Sequence, residues 1–403
     1  MSGTVLVLNS GSSSIKYELV EPPGGGVDGG GRLASGLVER IGEATTRVAH
    51  THEGKATERS EPIATHGEAL RALLSLFDEI GPRLEDAHVV AVGHRVVMGG
   101  EHYGGAVLIN ADVVATIDRL SPLAPLHNPA NLAGITVARD LLPDIPHVAV
   151  FDTAFFHDLP LAAATYALDR AVAARHAVRR YGFHGTSHRY VSRKVAEVLS
   201  RDVSDLKQIV LHLGNGASAA AIRNGAPVDT SMGLTPLEGL VMGTRTGDID
   251  AAVVVHLSRN AGMSIDEIDD LLNKHSGMKG LTGHNDMREI HRLIAAGDVD
   301  ARHGLDVYVH RLRKYVGAYA AVLGGLDALS FTAGVGENDA VVRAETAGGL
   351  GFLGIEIDPV RNAVRSDSPR LISADAAPVA VLVIPTDEAM AIALETMAVV
   401  AGP

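Results

Sequence analysis

Two arginines lie in sequence contexts where a guanidinium group could bind a phosphoryl group in transfer. Arg95 ends an apolar β-branched run in GHRVVMGG, and Arg245 lies among Gly and Thr in TRTGD. An arginine at the end of a buried strand is costly unless it meets an anion. Either residue alone is more often part of a structural ion pair. Together they would form a clamp of two guanidinium groups on one phosphoryl group.

Three turns of small residues follow apolar strands, and each could bring backbone N–H groups close to phosphate oxygens. They read NSGSSSIK at residues 9–16, HLGNGAS at 212–218 and AGVGEN at 333–338. Lys16 could add a positive charge beside the first turn. A solvated hairpin is the alternative for each turn alone. None is a Walker loop, because GxxxxGK[ST] is absent, but three such turns in one chain favour nucleotide binding.

Two acidic residues lie where a strand ends or a helix begins. Asp152, in FDTAF, follows an apolar strand, at the edge where α/β sheets bind ligands. It could bind Mg²⁺ or orient a carboxylate substrate, and the alternative is an N-cap for the next helix. Glu388, in TDE, is either a Mg²⁺ ligand or a charge in the first turn of a helix.

The segment YGFHGTSH, residues 181–188, contains two histidines spaced His-x₃-His. On a helix this spacing would place both rings on one face, as in some zinc sites. Zinc is disfavoured, because HExxH is absent and Gly182 and Gly185 weaken a helix here. We interpret His184 as the donor of a hydrogen bond to a phosphoryl oxygen. A serine-hydrolase site is excluded, since neither GSSS nor GTSH fits GxSxG.

The elements that must position these residues alternate between strands and helices. Apolar runs predict strands at residues 4–9, 15–20, 88–97, 147–151, 209–213, 218–223, 328–331 and 379–385. Helical spacing of apolar residues predicts helices at residues 68–80, 111–120, 129–142 and 387–399. Residues 332–338 are predicted to form a turn, and the Gly- and Pro-rich residues 22–32 a flexible surface loop. The alternation indicates an α/β architecture.

The strand–turn–strand pattern of residues 4–20 returns at residues 209–223, about half the chain later. This spacing suggests an internal duplication, with one hairpin in each of two domains. A chain of 403 residues is also too long for one ordinary compact core.

The charge and residue usage limit the partners. A formal net charge of −13 disfavours binding to nucleic acid or to an anionic membrane. The absence of cysteine excludes disulfides, thiolate catalysis and Cys-based zinc sites. The apolar run at residues 5–8 is too short for export or membrane spanning, so we expect a cytoplasmic protein.

Taken in order, several motifs resemble those of the acetate kinase family over nearly the whole chain. They are NSGSSSIKYELV, GHRVVMGG, SPLAPLHNP, FDTAF, YGFHGTSHRYV, HLGNGASAAAI, DTSMGLTPLEGLVMGTRTGDID and FTAGVGEN. The resemblance implies two duplicated, actin-like (ribonuclease H-like) α/β domains with ATP in the cleft between them. The implied domains are residues 1–152 with 387–403 and residues 153–386. It also implies a homodimer that transfers a phosphoryl group reversibly between ATP and acetate, using ATP or ADP and Mg²⁺, with Mn²⁺ as the alternative metal.

The resemblance also implies a role for each residue that matches a family motif. Arg95, Arg245 and His184 match the groups that stabilise the transferring phosphoryl, Asp152 the essential acidic residue, and His127 a further active-site histidine. The family's pocket for the acetate methyl group lies beside Arg95, and the residues that match it are Val97, Leu126, Phe183 and Pro236. The residues that match the family's phosphate-binding hairpin are Asn9, Ser12, Ser14 and Lys16. Asn9 and Glu388 match residues associated with Mg²⁺. The nucleotide site matches His212, Asn215, Gly216, Asp286, Met287, Arg288, Gly334, Val335 and Asn338.

The chain departs from the family pattern in four places. Met98 stands where a histidine is usual, and Phe156 displaces the histidine after FDTAF to position 157. The segment before Asp286 is one residue shorter than is typical, and the loop at residues 22–32 is unusual. A propionate or butyrate kinase is the nearest alternative, since one methylene in an apolar pocket changes binding by only about 1–3 kcal/mol. A non-catalytic ATPase of the same superfamily is the more distant one.

Overall fold

The computed structural model describes residues 3–23 and 31–402 and separates into two compact units. The first unit comprises Met1–His157 and Asp387–Pro403, and the second comprises Asp158–Thr386. The resemblance implied domain boundaries after residues 152 and 386, whereas the two compact units divide after residues 157 and 386. The first unit is therefore discontinuous in sequence, because its last segment follows the whole of the second.

An eight-stranded sheet forms the centre of the first unit. Its strands are β1 (Thr4–Ser10), β2 (Ser14–Glu21), β3 (Gly31–Glu39), β4 (Thr46–His52), β5 (Lys55–Glu61), β6 (Val89–Val96), β7 (Val107–Leu108) and β8 (His147–Phe151). Their order is β5-β4-β3-β2-β1-β6-β8-β7. Strands β1 to β5 pair antiparallel in succession, β6 and β8 continue parallel to β1, and β7 closes the edge antiparallel to β8.

The second unit repeats this arrangement in a six-stranded sheet. Its strands are β9 (Lys207–Leu213), β10 (Ala217–Arg223), β11 (Ala226–Thr230), β12 (Ala328–Thr332), β13 (Arg370–Leu371) and β14 (Ala380–Val383). In the order β11-β10-β9-β12-β14-β13, β9 pairs antiparallel with β10 and parallel with β12, as β1 does with β2 and β6. Both sheets thus share strand order and direction, which confirms the prediction of two duplicated α/β domains.

Helices cover these sheets. Those of the first part of the chain are α1 (His66–Glu79), α2 (Ala111–Leu120) and α3 (Asn128–Leu141). The second unit contains α4 (Leu161–Ala164), α5 (Arg170–Arg175), α6 (Gly185–Val198), α7 (Ala252–Ala261), α8 (Ile265–Lys274), α9 (Gly277–Thr282), α10 (Met287–Ala295), α11 (Val299–Leu323), α12 (Ala333–Asn338), α13 (Ala340–Ala347) and α14 (Pro359–Ala363). The last helix, α15 (Glu388–Ala401), returns to the first unit.

Helix α15 packs directly on the first sheet. Asp387 caps it by accepting a hydrogen bond from the Met390 backbone N–H at 2.9 Å. Its inner face approaches β6 at Gly93, where an added Cβ would lie 2.5 Å from Thr396 Oγ1 and 2.9 Å from Ile392 Cγ2. The absence of a side chain at position 93 therefore allows the close contact that fixes the two residues that follow, His94 and Arg95.

The predicted secondary structure is confirmed for all eight strands and four helices, with bounds that differ by two residues at most. One prediction is wrong. Residues 333–338 form α12 rather than a turn, after Ala333 adopts a left-handed φ of 62°. Helix α6 does form despite Gly185, since the glycine is its first residue and the helix buries one face. Of the predicted loop at 22–32, residues 24–30 lie outside the described residues, and β3 begins at residue 31.

Within residues 3–23 and 31–402, no helix combines the length and the apolar character needed to cross a membrane.

Buried histidines predict that stability falls in mild acid. His94 Nε2 lies 2.9 Å from His147 Nδ1, and burial lowers the pKa of both rings, that of His94 strongly. The unfolded chain takes up protons below pH about 6.5 that the folded protein does not, so the unfolding free energy falls as pH drops from 7 to 5. We expect His147→Gln to make this slope shallower in denaturant titrations, and the same change at exposed His303 to leave it unchanged. Equal slopes in wild type and His147→Gln would contradict this.

Candidate active site

In the first unit, Arg95 and Asp152 form an ion pair at the carboxyl ends of neighbouring parallel strands. Arg95 is the penultimate residue of β6, and Asp152 directly follows β8. Arg95 donates from Nε to Asp152 Oδ1 at 3.0 Å and from Nη2 to Oδ2 at 2.6 Å. Asp152 is only 2% exposed, whereas the Arg95 side chain is 20% exposed. Arg95 Nη1 makes no hydrogen bond to the described residues, so this face of the guanidinium can contact a ligand.

The charges around this pair keep Arg95 protonated. Burial alone would lower the pKa of Arg95, but the carboxylates of Asp152 and Glu388 raise it overall. Burial raises the pKa of Asp152, Arg95 opposes that shift, and Glu388 adds to it. The N-cap alternative for Asp152 is wrong, since its side chain is engaged by Arg95 and Thr153 occupies the cap of the following 3₁₀ turn.

Further residues predicted for the first unit surround Arg95. A small cavity is lined by Asn9, Lys16, Arg95 and Glu388 together with Glu18. Lys16 Nζ lies 2.8 Å from Glu18 Oε1. Glu388 is the first residue of α15, so it is a first-turn helix charge that also reaches the cavity.

The other predicted residues of the first unit lie outside that cavity. Ser12 is exposed and Ser14 half-buried in the β1–β2 turn, where the Gly11 N–H donates to the Ser14 carbonyl at 2.8 Å. Val97 is buried, and its N–H donates to Asn131 Oδ1 at 3.1 Å. Leu126 is 52% exposed, and His127 occupies the cap position before α3.

In the second unit, the structure brings His184, Arg245 and His212 together around Gly216. A Cβ built at Gly216 would lie 3.5 Å from His184 Nε2 and 3.6 Å from Arg245 Nη1. The His184 ring stacks on His212, with 4.2 Å between ring centroids. His184 adopts a left-handed φ of 58° just before α6, which is uncommon for a residue with a side chain. Two of the three predicted phosphoryl-binding groups therefore meet at the β9–β10 turn.

Arg245 has no carboxylate partner among the described residues. Its Nη1 donates to the Pro236 carbonyl at 3.1 Å and lies 3.7 Å from Met242 Sδ. Burial lowers the pKa of Arg245, and no neighbouring acid counters that effect. A partly buried cation with this little compensation is expected where an anion binds. Pro236, predicted for the methyl pocket, thus contacts Arg245, while Phe183 is 1% exposed in the same unit.

A cavity of about 1100 Å³ in the second unit contains most of the predicted nucleotide-binding residues. Asn215, Asp286, Met287, Arg288, Gly334, Val335 and Asn338 line it. Gly216 is the next residue of the Asn215 turn, and His212 lies at the end of β9. Asp286 caps α10, and its Oδ2 accepts a hydrogen bond from Arg288 Nη2 at 2.6 Å. The Arg288 side chain is 91% exposed. The Asn215 turn, the start of α10 and helix α12 thus line a space large enough for a nucleotide.

Sequence reasoning missed several polar residues of this cavity. The Asp339 backbone N–H donates to the carbonyl of the motif residue Val335 at 2.9 Å, and its side-chain Oδ2 lies 2.7 Å from His291 Nε2. Arg343 donates to the Gly336 and Glu337 carbonyls at 2.9 Å each, and burial lowers its pKa to about 10. Glu337 was inside a recognised motif and could have been found there. The others follow the motif or lie on distant helices, and nothing in their local sequence marks them.

A larger side chain at Gly334 should weaken ATP binding without unfolding the protein. An added Cβ there meets no atom within 4 Å, and the residue lines the cavity. Gly334→Leu would therefore occupy space that we assign to the nucleotide. We expect the KM for ATP to rise at least about tenfold, which corresponds to 1.4 kcal/mol. Gly317→Leu, equally uncrowded on α11, is the control, and an unchanged KM in Gly334→Leu would remove this cavity from the ATP site.

The structure shows the local surroundings of three of the four departures from the family pattern. Met98 is fully buried and is held through its backbone by Asn128, which accepts from its N–H at 3.0 Å and donates to its carbonyl at 3.1 Å. Phe156 is also fully buried, and His157 Nε2 lies 3.2 Å from the Glu101 carbonyl. The shortened segment still delivers Asp286 to the cap of α10.

Comparison with known proteins identifies the family. A model of the acetokinase family matches residues 4–394. The acetate kinases of Leifsonia xyli and Streptomyces coelicolor are 56% and 57% identical to the chain, over 99% of it and over 99% and 98% of their own lengths. Crystal structures of an acetate kinase from Porphyromonas gingivalis and a propionate kinase from Francisella tularensis superpose with TM-scores of 0.92 and 0.91. They are 43% and 41% identical, each covering 98% of this chain and 99% of its own. From its motifs, its duplicated sheets and these matches, the chain belongs to the acetokinase family.

Proposed function

We propose that the protein transfers the γ-phosphoryl group of ATP reversibly to acetate, forming acetyl phosphate and ADP. The observation that carries this proposal is Arg245, a partly buried guanidinium with no carboxylate partner in residues 3–23 and 31–402, beside His184 and the Asn215 turn of the nucleotide cavity. Membership of the acetokinase family supplies the substrate class.

The chemistry needs charge neutralisation rather than a general base. Acetate is ionised near pH 7, so its oxygen attacks the γ-phosphorus directly, and the bond from phosphorus to the ADP oxygen breaks in line. Arg95 would orient the acetate carboxylate through its open Nη1 face. Arg245 and His184 would donate hydrogen bonds to the equatorial oxygens, where charge gathers in the transition state.

Mg²⁺ fits the residues around Arg95. Asn9 and Glu388, which line one small cavity, offer an amide and a carboxylate oxygen, the donors that Mg²⁺ prefers. Among the described residues no group of three or more His, Asp or Glu could hold a metal ion alone, so ATP oxygens and water would complete the shell. When bound, the ion would neutralise phosphate charge. Mn²⁺, which accepts similar oxygen ligands, is the alternative.

A hydroxylamine-trapping assay tests the proposal. The protein is incubated with ATP, Mg²⁺ and either acetate, propionate or butyrate, and the acyl phosphate is trapped as its hydroxamate. We expect the highest kcat/KM with acetate. A higher value with propionate would favour the second candidate, which the similarity to a propionate kinase at 41% identity supports. ATP hydrolysis without any trapped product would contradict both candidates and indicate the non-catalytic ATPase.

We also propose that the protein is a homodimer and acts in the cytoplasm, where ATP is available. Helix α7 supports a dimer, because it carries Val253 and Val255, 38% and 46% exposed, and none of its residues is buried. Contiguous exposed apolar patches often mark protein–protein contacts. Analytical ultracentrifugation of wild type and Val255→Glu would test it, and a wild-type monomer would contradict it.

A further inference from the structure

A buried serine hydroxyl lies between the two histidines of the YGFHGTSH segment. Ser218 Oγ is 2.9 Å from His184 Nδ1 and 2.7 Å from His188 Nε2. Ser218 and His188 are both fully buried, and Ser218 follows the first residue of β10, opposite His212 on β9. The two histidines that are spaced like zinc ligands therefore share a hydroxyl group.

The count of protons on these three groups restricts their tautomers. A serine hydroxyl has one proton, so it donates to only one of the two ring nitrogens. The other nitrogen must carry its own proton for the second hydrogen bond to form. Burial lowers the pKa of His188 well below its ordinary value, so its ring is neutral and has a single N–H. When the hydroxyl proton is used within these three groups, two directions remain, one running from His188 to His184 and the other the reverse.

We propose that Ser218 is a positioning residue that holds His184 in the tautomer protonated at Nε2. In this direction His188 Nε2–H donates to Ser218 Oγ, and the Ser218 O–H donates to His184 Nδ1. The inference deepens the proposed function, since His184 can then donate from Nε2, which lies 3.5 Å from a Cβ built at Gly216, as Arg245 Nη1 does at 3.6 Å. In the reverse direction, a neutral His184 would present a lone pair there and repel a phosphoryl oxygen.

The His184 ring that Ser218 orients is also stacked on His212, which is held in turn by Ser187. His212 stacks on His184 with an interplanar angle of 24°, and its Nδ1 lies 2.8 Å from Ser187 Oγ. Ser187 Oγ lies 2.9 Å from Thr386 Oγ1, at the end of the second unit. Stacking limits tilt of the His184 ring, and the Ser218 hydroxyl sets which ring nitrogen carries the proton.

Nitrogen-15 NMR of histidine-labelled protein tests the tautomer without relying on activity. We expect the wild-type His184 signals to show a protonated Nε2 and an unprotonated Nδ1, and Ser218→Ala to give a mixture. Turnover in Ser218→Ala should fall about 10- to 100-fold, by analogy with the loss of a group that orients a metal-ligating histidine. The KM for ATP should change much less. A wild-type His184 protonated at Nδ1 would overturn the proposal.

Three other variants separate positioning from folding. Ser192→Ala removes another buried hydroxyl, on α6, which donates only to the Arg189 carbonyl, and it should change neither tautomer nor turnover. His188→Gln keeps an N–H donor towards Ser218 and should retain most activity, whereas His188→Met should behave like Ser218→Ala. An equal loss of turnover in both His188 variants would refute the hydrogen-bonded chain from His188 through Ser218 to His184. A wild type with the expected tautomer but no acyl phosphate would instead refute the proposed function.

Discussion

Replacing Arg245 with alanine is expected to lower turnover by about 10²–10³-fold, the usual cost of losing a transition-state donor. The same change should leave the unfolding free energy unchanged or raise it. Arg245 is partly buried and pairs with no carboxylate among the described residues, so its removal relieves a desolvation cost. Lost activity with equal or greater stability is the signature of a charge kept for a ligand. Steady-state kinetics and urea titration measure the two effects.

Arg180 provides the matched contrast for Arg245 in the same unit. Its Nη2 donates to Glu238 Oε1 at 2.5 Å, and its Nη1 donates to the Met232 carbonyl at 3.0 Å. Breaking a fully buried pair on one side typically costs about 3–5 kcal/mol; this pair is only partly buried, so Arg180→Ala should be destabilised by less than that, but measurably. Arg201→Ala, which removes an exposed pair with Asp327, should affect neither property much. Near wild-type turnover in a folded Arg245→Ala would refute the role of Arg245.

Arg95→Ala should lose both turnover and stability, unlike Arg245→Ala. Turnover should again fall by about 10²–10³-fold, because Arg95 is proposed to orient acetate. The unfolding free energy should also fall by about 3–5 kcal/mol, since Asp152 would be left as an unpaired buried carboxylate. That loss should shrink as pH falls, because protonation of Asp152 in the folded variant removes the uncompensated charge.

A double variant separates the two effects of Arg95. In Arg95→Ala/Asp152→Ala both charges are gone, so much of the stability should return while turnover stays low. Arg59→Ala, which breaks an exposed pair with Glu79, is the control in the first unit. If the double variant regained turnover along with stability, Arg95 would be a structural residue only.

Most of the fold was predictable because its strands are short apolar runs and its helices carry regular apolar spacing. Residues 147–151 and 111–120 were predicted with the bounds that the structure shows. The error at residues 333–338 arises because backbone conformation, rather than a pattern of apolar residues, determines the element there. At Ala333 a left-handed residue starts a short helix in a segment that looks like a Gly-rich turn. Sequence patterns show which residues can adopt a conformation, but the surrounding structure decides which one does.

The candidate site was predictable residue by residue but not in its connections. The motifs indicate Arg95 and Asp152 separately. Their ion pair forms only because β6 and β8 are neighbours in the sheet, and the local sequence of neither strand predicts that pairing or its register. In the same way, nothing in HLGNGAS marks Ser218 as the link between two histidines. These contacts join segments about 30 to 60 residues apart, and only the assembled sheets bring them together.

The split first unit has a consequence for synthesis of the chain. When the ribosome has made residues 1–157, the sheet is present but α15, which covers β6 at Gly93, has not been translated. The second unit, continuous from residue 158 to 386, can fold earlier than the unit that precedes it. Apolar sheet surface thus stays open to nascent-chain chaperones until the last helix leaves the exit tunnel.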